Sequence, residues 1–92
     1  MIDRIGKQNL DPDQIVALRA LAWALGEPDR AHRMLALTGL DPAELRARAG
    51  EPALLAAVLT FLEAHEPDLI ACAEALELKP AALVAARERL EG

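Results

Sequence analysis

The chain has 92 residues, which is enough for one domain. Hydrophobic residues make up 53% of it and charged residues 27%, a composition typical of a globular protein rather than a disordered one. The net charge of −5 disfavours non-specific binding to phosphates, and the single cysteine, Cys72, excludes an intramolecular disulfide and suits a reducing compartment.

The N-terminal residues, "MIDRIGKQNL", have no apolar run after their charges, so no signal peptide is predicted. The longest apolar stretch, 53–61, is about half the length that a membrane span needs. These features predict a cytoplasmic protein that does not enter a membrane. Residues 1–10 are predicted to form a flexible arm, and residues 11–92 a single helical domain.

Six prolines mark the predicted helices, because proline is favoured at the first helical position. Asp11 with Gln14, and Asp41 with Glu44, have the spacing of capping boxes. Single glycines follow the first three helices and predict left-handed helix ends at Gly26, Gly39 and Gly50. The resulting helices lie near 12–25, 28–38, 42–48, 52–65, 67–77 and 80–90.

Apolar spacing then assigns faces to these helices. In the first helix, Ile15, Leu18, Ala22 and Leu25 form the predicted core stripe, flanked by Trp23. The same helix carries a ridge of small residues, Ala17, Ala20 and Ala24, which permits close helix approach within the fold or between chains. The fourth helix is apolar around most of its circumference, so it is predicted to lie at the centre. The predicted fold is an all-α, compact bundle of five to six short helices, each started by proline.

The stretch "TGLDPAEL", residues 38–45, joins two helices through a tight turn and lies among four arginines. A helix-turn-helix would use 28–38 as the positioning helix and 42–48 as the DNA-reading helix. The short reading helix has no Asn, Gln or Ser for base edges and carries Glu44 in its first turn. DNA binding through 28–48 therefore remains an alternative, and the favoured interpretation is a corner in a helical domain.

No catalytic site can be assembled from the candidate residues. The chain has no Ser and no Tyr, which leaves Cys72, Thr38 and Thr60 as possible nucleophiles, and Cys72 falls on an apolar face. A metal or small-molecule site near His65 and Cys72 remains a second alternative, although the spacing fits no metal-site pattern. The glycines occur singly, so no phosphate loop is predicted. The sequence predicts a protein without enzymatic activity and without a cofactor.

Surface recognition is then the favoured function, either with a protein partner or by self-association. The predicted binding residues are Arg30, Arg33, Arg46, Arg48 and Trp23. The four arginines form the densest basic cluster of the chain, while residues 51–92 hold eight acidic and three basic residues. This contrast predicts that an acidic partner, or the acidic half of a second copy, docks on the cluster. The competing interpretation pairs the arginines internally with Asp29, Asp41 and Glu44.

Residues 34–90, and above all "LTGLDPAELR" followed by "LLAAVLTFL", resemble the alphaproteobacterial domain-of-unknown-function family DUF3572. The resemblance begins at the "ALRALAWAL" helix and so covers most of the chain. It implies an all-helical cytoplasmic domain with no assigned activity, cofactor or catalytic residue. One departure is Lys79, which stands where the two earlier "LDP" corners carry Asp.

Overall fold

The computed structural model describes residues 11–92, and the predicted arm, residues 1–10, lies outside the described residues. Within the described range the chain forms six α-helices and no strand, so the predicted all-α bundle is confirmed. The helices are α1 Pro12–Leu25, α2 Pro28–Thr38, α3 Pro42–Ala47, α4 Pro52–Glu63, α5 Glu66–Ala75 and α6 Pro80–Glu91.

The helix starts follow from proline and side-chain caps. The Asp11 carboxylate accepts a hydrogen bond from the Gln14 backbone at 2.9 Å, and Asp41 accepts one from Glu44 at 2.8 Å. The Gln14 and Glu44 side chains in turn accept a hydrogen bond from the backbone N–H of Asp11 and Asp41, respectively. Both predicted capping boxes are therefore formed. Five helices begin at proline, whereas α5 begins at Glu66, one residue before its proline.

The predicted glycine stops are confirmed only at Gly39. This residue is left-handed, with φ 73°, and its N–H donates to the Leu35 carbonyl at 2.9 Å. The prediction is wrong at Gly26, which is right-handed with φ −77°, and at Gly50, which does not have a positive φ. A tight right-handed turn ends α1 instead, since the Gly26 N–H donates to the Trp23 carbonyl at 3.1 Å.

Four helix ends differ from prediction, one of them at α6, which ends at Glu91 rather than 90. α3 stops at Ala47, and α4 stops at Glu63 rather than 65 because His65 is extended, with φ −136° and ψ 93°. α5 stops at Ala75 rather than 77 because Glu77 takes a left-handed conformation, with φ 60°. The Leu78 N–H then donates to the Ala73 carbonyl and the Glu77 N–H to the Glu74 carbonyl, the two bonds of a Schellman motif.

α4 lies at the centre of the bundle, as predicted. It packs against α1, α2, α5 and α6, and seven of its twelve residues are buried. The buried residues are Leu54, Leu55, Ala56, Val58, Leu59, Phe61 and Leu62. The remaining side is not covered, since Ala53, Ala57 and Thr60 are exposed.

The predicted core face of α1 is wrong at Ile15, Ala22 and Leu25, whereas Leu18 is half-buried and packs against the core. Ile15 is 46% exposed and Leu25 is 42% exposed, and Ala22 is also at the surface. The buried residues are Ala17, Ala20, Leu21 and Ala24. Small side chains let α1 lie close to α4 and α6, so the alanine ridge serves packing within the fold. Three of the four residues of the stripe predicted for the core consequently lie at the surface.

Candidate functional site

Arg30 and Trp23 form one unit between α1 and α2. The Arg30 guanidinium lies 3.7 Å from the centre of the Trp23 ring and donates a hydrogen bond to the Trp23 carbonyl at 2.9 Å. Trp23 itself is half-buried and packs against the core. Because Arg30 stacks on the Trp23 ring and is hydrogen-bonded to the backbone of α1, these two predicted binding residues hold α2 against α1.

Cys72, on α5, lies in the hydrophobic core. The Cys72 side chain has no exposed surface, and burial raises the pKa of its thiol to about 11, against weaker opposing effects from Arg30 and Arg19. The thiol is therefore protonated near neutral pH, and thiolate chemistry is suppressed. His65, by contrast, is exposed at the start of α5.

Two further arginines of the predicted cluster are held in ion pairs. Arg33 reaches Asp68 of α5 at 3.3 Å, and its guanidinium lies 5.8 Å from the centre of the Phe61 ring. Arg48 pairs with Glu51 at 2.9 Å. Internal pairing therefore occurs, but with different carboxylates from those that the sequence suggested.

Arg46 is the exception among these arginines. Residues 11–92 contain seven arginines, and six of them donate a hydrogen bond or form an ion pair within this range. Arg46, which is exposed on α3, does neither within the same range. Its charge is consequently available to a group from outside the described fold.

Arg46 lines an apolar depression between α1, α2 and α3, which we call the α1–α3 groove. The groove has a volume of about 370 Å³. Its lining residues are Leu18, Leu21, Ala22, Leu25, Ala31, Leu35, Pro42, Leu45, Arg46 and Ala49. Arg46 is the only charged residue among them, and Leu18, Ala22 and Leu25 belong to the stripe that was predicted to be core.

Sequence reasoning missed this groove, although a signal for it was present. α1 carries apolar residues on two faces, one with Ile15 and Leu18 and the other with Ala17 and Leu21. A helix at the edge of a bundle can bury only one face against the core. The second apolar face was therefore a candidate for a binding surface.

The corner at residues 38–45 has the sharp turn that a helix-turn-helix needs. α3, however, contains six residues, with Glu44 in its first turn and Leu45 in the core. Of the four arginines, Arg30 and Arg33 turn toward α1 and α5, and Arg48 toward Glu51. These side chains therefore have separate surroundings, and DNA binding stays an untested alternative.

Within residues 11–92, no group of three His, Cys, Asp or Glu side chains is placed to hold a metal ion. None of the helices in this range combines the length and the apolar character required to cross a bilayer.

The fold and the groove define a small all-helical domain with an apolar surface depression, beside which lies Arg46, an arginine without a partner within residues 11–92. The sequence of residues 11–92 matches the family described as "Protein of unknown function (DUF3572)". The chain belongs to this family, as its resemblance indicated, whereas the alphaproteobacterial origin stays a prediction. No curated protein and no solved structure matches the chain.

Proposed function

We propose that the protein is a non-enzymatic interaction module that binds an amphipathic helix of a partner protein in the α1–α3 groove. The observation that carries the proposal is an exposed apolar groove with a single charge, Arg46, which has no partner within residues 11–92. Grooves between helices commonly bind the apolar face of another helix through residues one or two turns apart.

The dimensions of the groove favour a side-chain anchor. Its volume of about 370 Å³ is comparable to that of a few aliphatic side chains. Its walls, which include Leu18, Leu35 and Leu45, are apolar, so the partner's anchoring residues are aliphatic or aromatic. Arg46 at the same surface pairs with an acidic residue on the partner helix, which fixes its orientation.

The same proposal includes a cytoplasmic location, which the lone and fully buried thiol of Cys72 supports. Of the four arginines predicted to bind a partner, the proposal assigns direct contact to Arg46. Trp23 and Arg30 contribute indirectly, by holding α2 against α1 and so maintaining the walls of the groove.

Affinity capture from the native cell tests this function. Ala22→Glu places an unpaired carboxylate in the groove and should abolish capture, because burying a lone charge costs several kcal/mol. Arg46→Glu should weaken capture about tenfold or more through repulsion of the partner's acid. Arg33→Glu is the matched control, since Arg33 is an exposed arginine that faces Asp68 and not the groove.

Equal capture of the same proteins by the wild type, Ala22→Glu and Arg46→Glu would contradict the proposal. Loss of capture on Arg33→Glu alone would instead favour the broader basic cluster. A mobility-shift titration with duplex DNA at about 50 mM salt distinguishes the nucleic-acid alternative. If the wild type binds the duplex under these conditions and Arg46→Glu does not, the result would support DNA recognition by α3.

A further inference from the structure

A second apolar groove lies along the exposed side of α4, and we call it the α4 groove. It has a volume of about 1000 Å³, and its lining residues on α4 begin at Pro52 and extend past the end of the helix to Ala64. Its lining residues are Leu37, Thr38, Leu40, Arg48, Pro52, Ala53, Leu54, Ala56, Ala57, Thr60, Phe61, Ala64, Leu90 and Glu91.

The exposed side of α4 carries no charged side chain that solvent could hydrate. Between residues 52 and 62 the helix contains no charged residue, and its one acid, Glu63, is paired with Arg87 at 2.6 Å. The Thr60 hydroxyl donates to the Ala56 carbonyl at 3.0 Å, so it offers little polarity to solvent. Leu37, at the wall of the groove, is 70% exposed. A helix that is apolar all round is usually covered on every side.

The two charged residues of the α4 groove lie at its opposite ends. Arg48 pairs with Glu51, which immediately precedes α4. Glu91 pairs with Arg87 at 2.7 Å, and Arg87 holds Glu63, the last residue of α4. The two ends of α4 are about 18 Å apart, since each residue advances a helix by about 1.5 Å.

We propose that a second copy of the chain covers the α4 groove, with the two α4 helices packed antiparallel about a two-fold axis. Antiparallel pairing sets the end of one groove that carries the Arg48–Glu51 pair against the end of the other that carries Glu63, Arg87 and Glu91, where the acidic residues are in excess. Arg48 of each copy then faces Glu91 of the second copy, and this pair forms twice. The small side chains at Ala57 and Thr60 lie near the axis, where the helices must approach most closely. Leu37 of each copy is buried at the same time.

This interface is separate from the α1–α3 groove, so the two proposals fail independently. Sedimentation equilibrium of the full chain, from about 1 µM to 1 mM, measures the dimer dissociation constant. Ala57→Glu sets two like charges near the axis and should raise that constant about a hundredfold or more. Ala22→Glu is the matched control, because it adds the same charge at an exposed alanine outside this groove. It should leave the dimer unchanged.

Charge exchange tests the antiparallel register. Arg48→Glu and Glu91→Arg should each raise the dissociation constant between about five- and thirtyfold, because each change occurs twice in the dimer. The double variant should recover most of the wild-type affinity, which a merely structural role of either residue would not produce. Circular dichroism of each variant verifies its fold. A wild-type chain that stays monomeric at the highest concentration overturns the proposal, as does a dimer unaffected by Ala57→Glu. A double variant without recovery overturns the register.

Discussion

Two neighbouring alanines of α1 offer a direct test of which face of that helix is core. Ala20 has no exposed surface, whereas Ala22, two residues later, is exposed. Replacing either by leucine adds the same three carbon atoms and changes helix propensity equally. Because α1 packs on α4 and α6 through its small residues, Ala20→Leu must force these helices apart. Overpacking of this kind costs about 1–3 kcal/mol.

The expected difference is large enough to measure by thermal and chemical unfolding followed by far-ultraviolet circular dichroism. In a domain of this size, 1 kcal/mol shifts the melting temperature by about 4–8 °C, so Ala20→Leu should lower it by about 4–24 °C. Ala22→Leu should change the free energy of unfolding by less than about 0.5 kcal/mol. A tolerated leucine at 20 together with a damaging leucine at 22 would show that the stripe from Ile15 to Leu25 faces the core after all.

Leu59→Ala should lower the free energy of unfolding by about 2–5 kcal/mol because Leu59 has no exposed surface, whereas Leu37→Ala, at a side chain 70% exposed, should change it by less than about 0.5 kcal/mol. Equal denaturant midpoints for these two variants would contradict the placement of α4 in the core. Burial raises the pKa of Cys72 from 9.0 to about 11, so the folded state keeps its proton while the unfolded chain loses it, and stability should fall as pH rises from about 9 to 11. Denaturation series in that range should show a flatter decline for Cys72→Ala. A hydrogen bond from Arg89 lowers the pKa of Asp13 below 3.8, so the stability it contributes is present above that pH and is lost in acid. Acid titration of Asp13→Asn should show a weaker loss, and an unchanged acid transition would mean that the pair with Arg89 does not form in solution.

The helix starts could be predicted closely because their causes are local. A capping carboxylate and a proline act on backbone groups within one turn, as at Asp41 and Pro42, so the sequence contains all the information needed. Helix ends depend more on what the next segment requires. Glu77 adopts a left-handed conformation although it is not a glycine. Gly26 follows α1 but has a right-handed conformation.

The site was less predictable because it depends on which side of a helix its neighbours occupy. α1 has two apolar faces, and only the packing of α4 and α6 decides that the alanine face is buried. The partners of the arginines likewise come from distant parts of the chain. Arg33 reaches Asp68, thirty-five residues away, and no spacing rule connects them. The pairing of Arg48 with Glu51, three residues apart, was within reach of such a rule.

The order in which the central helices appear along the chain affects how the protein can fold during its synthesis. α1, α4 and α6 pack on one another, and Arg89, near the end of α6, grips Asp13, in the first turn of α1, with two hydrogen bonds of 2.8 Å. During synthesis, α1 therefore leaves the ribosome well before α6, although the two helices pack together in the core. Until α6 brings Leu83 and Ala86 into place, the sides of α1 and α4 that pack against α6 remain exposed. A nascent chain that stops short of α6 consequently exposes core surface and is a substrate for chaperones and proteases rather than a smaller working domain.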